Sequence, residues 1–73
     1  MSTLPILSAR ETMRRLIRLG FRVEGYRGSH AILVHDRTGR ETTVPMHPGD
    51  LGRKLLSGII KQSGVNLQDF LSA

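Results

Sequence analysis

The sequence predicts an α+β fold in which two helices pack on one face of a three-stranded antiparallel sheet. Two amphipathic segments, near residues 9–19 and after residue 50, have apolar side chains at helical spacing. Between them lie three short runs rich in β-branched and aromatic residues, separated by turns that contain glycine. Each element has one apolar face, which favours a two-layer sandwich whose other sheet face is open to water or to a partner.

The first helix is predicted over residues 9–19. Ser8 is a good N-cap, and Glu11 three residues later completes a capping box. Gly20 suits the position after the last turn, where glycine adopts a left-handed conformation at no cost. One face of the helix carries a stripe of arginines at i, i+4 and i+8: Arg10, Arg14 and Arg18. This stripe is either a solvated face or a surface for phosphates or an acidic partner.

Three strands are predicted in the middle of the chain, at residues 21–27, 30–35 and 41–44. In the first strand, Phe21 and Val23 face one way and Tyr26 the other, and Gly25 suggests a bulge. Pro45 ends the third strand because it offers no N–H. Alternation in the second strand leaves open which of its two faces is buried.

The second helix is predicted to begin at Asp50, as N-cap, after the turn formed by residues 46–49. Its apolar stripe comprises Leu51, Leu55, Leu56, Ile59 and Ile60. Gly64 ends this helix, and Asn66 caps a short final one that carries Phe70.

The composition favours a negatively charged partner. The 73 residues include eleven Lys and Arg against six Asp and Glu, a formal charge of +5, and nine of the eleven are arginines. Arginine makes forked contacts with phosphate or carboxylate, so a nucleic acid is expected first and an acidic protein second. A membrane surface is a weaker candidate because the charges oppose no strong aromatic or leucine-rich stripe.

Length and composition also predict a single domain over residues 1–73 and a cytoplasmic location. The chain has no cysteine, so no disulfide or thiolate-bound zinc supports its thin core. No stretch approaches the roughly 18 apolar residues of a membrane span, and the start lacks signal-peptide features. Because thin cores are often completed by a partner, a stable complex or a homodimer is expected.

His30 is the first candidate for catalysis. It follows the turn Gly28-Ser29 and opens a strand, and six arginines lie in the twenty residues before it. An imidazole can take or give a proton at neutral pH, and RNA supplies its own nucleophile in the 2′-OH. Positive groups that hold the phosphate would complete a site for transesterification. A structural or surface histidine is the alternative.

The other polar candidates have weaker support. His30 and His35 should face opposite sides of a regular strand, so they cannot share a metal without a bulge. A zinc site with His47 as third ligand rests on count alone, whereas either His35 or His47 could be a second proton-transfer group. Ser29 belongs to no Ser-His-Asp pattern and suits a turn hydrogen bond or a phosphate contact. Tyr26 could stack on a base or be an ordinary strand aromatic.

Several segments in order resemble one family. They are Ser8-Ala9-Arg10-Glu11, Leu19-Gly20-Phe21, Arg27-Gly28-Ser29-His30, Val44-Pro45-Met46-His47, Lys61-Gln62-Ser63-Gly64-Val65 and Asp69-Phe70-Leu71. The set covers nearly the whole chain and resembles the HicA, or YcfA-like, toxins of bacterial toxin–antitoxin modules. Gly-Ser-His alone is a weak signal, whereas the ordered set is a strong one.

The resemblance implies an α-β-β-β-α fold similar to a double-stranded-RNA-binding domain and ribonuclease activity on mRNA. His30 matches the catalytic histidine of the family. A cognate HicB antitoxin would bind the toxin and block that site, and operator DNA would be reached only indirectly, through the antitoxin. No metal or organic cofactor is expected.

The residues expected to bind RNA are Arg10, Arg14, Arg18, Arg27, Ser29 and Lys54. Lys54 marks a departure from the family, whose second helix often opens with Gly-Thr-Leu where this chain has Lys54-Leu55-Leu56. The glycine and threonine of the family are missing here, so contacts with the substrate near this loop are expected to differ. Lys54 could add a phosphate contact.

Three functions fit these observations. The expected one is a toxic endoribonuclease that cleaves mRNA by 2′-OH transesterification with a single catalytic histidine, His30, as general acid or base. The alternative is a non-catalytic module that binds double-stranded RNA through phosphates and 2′-OH groups. The third is a protein-interaction domain whose arginines face an acidic partner, which a toxin with its antitoxin satisfies together with the first.

Overall fold

The chain folds as an antiparallel sheet with helices packed on one side. The computed structural model describes residues 4–73. The elements are β1 (Leu7–Ser8), α1 (Ala9–Arg18), β2 (Phe21–Arg27), β3 (His30–His35), β4 (Glu41–Pro45), β5 (Asp50–Leu51), α2 (Arg53–Ser63) and α3 (Leu67–Ser72). The main sheet has the order β2-β3-β4. The predicted α+β class is confirmed, and the arrangement is compatible with that of a double-stranded-RNA-binding domain.

Alternation in β3 determines which face of the sheet packs against the helices. Ala31 and Leu33 are completely buried, whereas Ile32 and Val34 are only half-buried. The core joins that buried face to apolar side chains of all three helices: Ala9, Leu16, Phe21, Ala31, Leu33, Val44, Leu51, Leu56, Ile59, Ile60 and Phe70. His30 alternates with Ala31 and therefore belongs to the face turned away from the helices.

The predicted bulge in β2 is confirmed and changes the orientation of the strand. The pairing with β3 shifts between Val23 and Gly25, so one extra residue is inserted there. Beyond the bulge, Tyr26 lies opposite Ala31 and Arg27 lies opposite His30. Directly opposed residues share a sheet face. The prediction that Tyr26 faces away from Phe21 is therefore wrong, and Arg27 shares the face of His30.

The prediction of Asp50 as N-cap of the second helix is also wrong. Asp50 pairs with Ser8, and Leu51 with Leu7, in a second antiparallel sheet of two short strands. Leu51 is only 4% exposed, so the extended backbone at this point places an apolar side chain in the core. Helix α2 begins after Gly52, which provides no side-chain cap.

The other helix ends follow the sequence closely. Ser8 Oγ accepts from the Glu11 N–H at 3.0 Å, but the Glu11 carboxylate binds Arg14 and Arg15, so only the Ser8 half of the predicted capping box is present. Helix α1 ends one residue earlier than predicted, with Leu19 as its C-cap. Gly64 ends α2 with φ of 75°, and Asn66 Oδ1 accepts from the Asp69 N–H to cap α3. No helix within residues 4–73 is long and apolar enough to cross a membrane.

Candidate active site

His30 lies at a sharply defined corner of the sheet. Gly28 and Ser29 form the two-residue connection between β2 and β3, and Arg27 pairs with His30 across its base. Gly28 has φ of 60°, while no described residue other than glycine has positive φ. A positive φ at the first turn position alone is the pattern of a type II′ hairpin, which requires glycine there. His30 is thereby exposed at the first position of its strand.

His47 lies beside His30. Their ring centroids are 6.1 Å apart, and the planes meet edge to face at 84°. The β3–β4 register explains the approach, because His30 pairs with Pro45 and His47 is two residues further on. The Met46 N–H donates to the Ser29 carbonyl oxygen at 2.8 Å, which continues the pairing past the proline.

The loop that carries His47 is held at both ends. Its first residue, Met46, is hydrogen-bonded through its backbone to Ser29. At the other end, Asp50 pairs with Ser8 at the start of α1. A groove links this loop to the helix start and is lined by Ser8, Ala9, Arg10, Met46, His47, Pro48 and Gly49. The second sheet, which was not expected from the sequence, therefore places Arg10 in the same groove as His47.

His35 is a structural residue rather than a second candidate for proton transfer. Its Nε2–H donates to the Leu19 carbonyl oxygen at 2.9 Å, and its Nδ1 accepts from the N–H groups of Arg37 and Thr38 at 3.1 and 3.2 Å. A carbonyl only accepts and a backbone N–H only donates, so these partners fix one tautomer and use both ring nitrogens. The ring also packs edge to face on Phe21, with centroids 5.0 Å apart.

The three imidazoles form no shared metal site. His30 and His35 lie on opposite faces of β3, as their spacing predicts. Within the described part of the chain, no group of three or more His, Cys, Asp or Glu residues is placed to hold a metal ion.

The predicted arginine stripe is divided by an ion-pair cluster. Arg14 binds both carboxylate oxygens of Glu11, at 3.0 and 2.6 Å, and Arg15 Nε binds Glu11 at 2.8 Å. These two guanidinium groups lower the pKa of Glu11 from 4.5 to about 2. The Glu11 carboxylate thus holds Arg14 and Arg15, while Arg15 also reaches the carbonyl oxygens of Phe70 and Leu71 and so ties α3 to α1.

The remaining predicted RNA-binding residues are spread around the molecule. Arg18 is exposed two turns beyond Arg10, about 12 Å along the helix axis. Ser29 is exposed in the turn before His30, and Lys54 is exposed in the first turn of α2. The structure therefore gathers Arg27, Ser29, His30 and His47 at one corner, with Arg10 in the adjoining groove beside His47, and leaves Arg14, Arg18 and Lys54 on other parts of the helices.

Comparison with known proteins identifies the family. A family model described as the HicA toxin of bacterial toxin-antitoxin matches residues 9–65. No curated protein matches the chain. The matched range includes the whole main sheet, α1, α2, and both His30 and His47. The chain therefore belongs to the HicA toxin family and is the toxin component of a toxin–antitoxin system, with a cognate antitoxin as its partner.

Proposed function

We propose that this toxin is an endoribonuclease that cleaves mRNA by transesterification, with His30 as a catalytic residue. His30 accepts the proton of a 2′-OH while that oxygen attacks the adjacent phosphorus, and the bond to the 5′ oxygen of the next nucleotide breaks. The products are a 2′,3′-cyclic phosphate and a 5′-OH. The observation that carries the proposal is the position of His30, exposed at a strand corner with Arg27 directly opposite.

The surrounding cations are suited to holding the RNA backbone. Arg27, opposite His30, and Arg10, in the groove beside His47, would contact the phosphate at the cleaved bond, with the Ser29 hydroxyl as a further donor. Arg18 would extend the track along α1, whereas Arg14 would contribute less because Glu11 already neutralises it. Lys54 would contact only RNA that reaches the start of α2.

The test is replacement of His30 by alanine. General acid–base catalysis by a positioned side chain contributes roughly 10²–10⁴-fold, so cleavage by His30→Ala should fall by that factor. End analysis of labelled RNA should show 2′,3′-cyclic or 3′-phosphate termini for the wild-type protein. Growth arrest on expression should disappear as well. Gln68→Ala, at an exposed position of α3, is the control and should cleave normally. A folded His30→Ala protein with full activity would contradict the proposal.

A non-catalytic double-stranded-RNA-binding module is the second candidate, favoured by the order of helices and strands alone. It predicts binding to duplex RNA that weakens with salt, and no cleavage products. Prolonged incubation of labelled RNA with purified wild-type protein separates the two functions.

The cognate antitoxin completes the proposal. An acidic surface of the antitoxin would cover the corner that holds His30 and block access of RNA, and operator DNA would be contacted through the antitoxin. With mRNA as substrate, the place of action is the cytoplasm.

A further inference from the structure

We propose that His47 is a second catalytic residue of the same site and acts as the general acid opposite His30. The inference rests on the proposed ribonuclease function and adds the group that protonates the leaving oxygen. It is carried by the 6.1 Å separation of the two ring centroids and by the two attachments that hold the His47 loop.

Transesterification of RNA requires two proton transfers at neighbouring oxygens. One proton leaves the attacking 2′-OH, and another must reach the departing 5′ oxygen, which is a poor leaving group as an alkoxide. Both oxygens are bonded to the same phosphorus in the transition state. Each catalytic atom must come within about 3 Å of its oxygen. Two rings whose centres are 6.1 Å apart can therefore serve one phosphodiester.

The other candidates for this role are placed unfavourably. His35 uses both ring nitrogens within the fold and lies on the opposite sheet face. Tyr26 lies opposite Ala31, on the helix side of the sheet. Arg10 and Arg27 carry guanidinium groups, whose forked donors suit phosphate binding rather than proton transfer. His47, by contrast, is an exposed imidazole whose ring meets that of His30 edge to face.

The position of His47 is built into the backbone. The bond from the Met46 N–H to the Ser29 carbonyl links the residue before His47 to the residue before His30. The pairing of Asp50 with Ser8 fixes the far end of the same loop. Both imidazoles thus project from positions tied directly to each other, as a site that must align two groups on one phosphate requires.

In the resulting step, atoms and charge balance. Neutral His30 takes the 2′-OH proton, the new P–O2′ bond forms, the P–O5′ bond breaks, and protonated His47 gives its proton to O5′. The enzyme ends with His30 protonated and His47 neutral. Proton exchange with water restores the starting state, and no metal or other reagent is consumed.

The decisive experiment uses an RNA in which sulfur replaces the bridging 5′ oxygen at the cleaved bond. A thiolate leaves without protonation, so this substrate does not need a general acid. We expect His47→Ala to cleave ordinary RNA roughly 10²–10⁴-fold more slowly than wild type and the sulfur-containing RNA at nearly the wild-type rate. His30→Ala should be slow on both substrates.

Several outcomes would overturn the proposal while leaving the ribonuclease function intact. A His47→Ala protein that is equally slow on both substrates would make His47 a binding or positioning residue, and one with normal cleavage of ordinary RNA would remove it from the site. Recovery on the sulfur substrate by His30→Ala instead would reverse the two roles. Failure of the wild-type protein to cleave any RNA would contradict the underlying function itself. Unchanged circular dichroism and melting temperature of His47→Ala, an exposed position, exclude unfolding as the cause.

Discussion

At the residue scale, two histidines of one strand have opposite roles because of their partners. His35 faces the helical layer and satisfies three backbone groups with its two nitrogens. His30 is on the opposite face and is exposed beside His47. The type of side chain is the same, so the polar groups that the fold places around each ring determine which one can meet a substrate.

The contact of His35 with the end of α1 predicts a strong effect at Gly20. This residue has φ of 106°, and a Cβ there would lie 2.6 Å from His35 Nε2. Gly20→Ala should therefore destabilise the protein by about 1–3 kcal/mol, from backbone strain and a displaced His35 ring. Urea unfolding measures the change. Gly25→Ala is the control, since a Cβ at Gly25 meets nothing within 4 Å, and equal losses for both variants would contradict the explanation.

The Glu11 cluster predicts an acid-dependent contribution to stability. Because Arg14 and Arg15 lower the folded-state pKa of Glu11 from 4.5 to about 2, its contribution is fully present above about pH 4.5 and is lost as the pH falls toward 2. The melting temperature of wild type should exceed that of Glu11→Gln at neutral pH, and the difference should vanish near pH 2. A difference that is independent of pH would show that the charge is not its source.

At the scale of elements, the helix ends could be predicted where a single residue caps or terminates the helix through its own conformation or side chain. Ser8, Gly20, Gly64 and Asn66 act as expected. The prediction of Asp50 as N-cap was wrong because a tertiary contact, the burial of Leu51 in a short strand, outweighed the local capping preference of aspartate. Pairings between distant segments leave little trace in local sequence, and this one holds the His47 loop.

Gly58 within α2 and Gly64 just after it should respond to replacement by alanine in opposite directions. Gly58 is inside the helix with open space around it, so Gly58→Ala should stabilise the protein by about 1 kcal/mol. Gly64 has a left-handed backbone, and an added Cβ would collide with the Arg40 side chain, so Gly64→Ala should destabilise it. Thermal unfolding of both variants tests the pair, and a shift of the same sign in both would refute the assignment of the helix end.

At the scale of the whole molecule, the sequence predicted the order of the helices and of the three main strands but not the second, two-stranded sheet. The order of the main strands and the position of His30 at the start of β3 followed from alternation and turns. To see that His47 rather than His35 lies beside His30, one needs the β3–β4 register. Counting back from the hairpin closed by His35 and Arg40 gives that register, with His30 opposite Pro45. The bulge in β2 was predicted from Gly25, but strict alternation along the strand does not show that residues after the bulge change face, which brings Arg27 onto the face of His30.

The distribution of charge predicts how RNA binding depends on salt. Each phosphate contact on a single strand contributes about 0.7 to the slope of log K against log salt concentration. In a His30→Ala background, which prevents cleavage, Arg10→Gln should lower that slope by about this amount. Lys61→Gln, at the exposed last turn of α2, is the charge-matched control and should leave it unchanged. Equal reductions for both would indicate a diffuse charge effect rather than contacts at the site.

The hydrogen bond between Met46 and Ser29 closes a stretch of chain that is synthesised before five of the eleven core side chains. Leu33 and Val44 pack into a core whose other members include Leu56, Ile59 and Phe70, all later in the sequence. During translation, both imidazoles therefore emerge ahead of these later core side chains. We expect the corner that holds them to be fully packed only once the last third of the polypeptide is available, so a chain interrupted during its own synthesis lacks part of the core behind this corner.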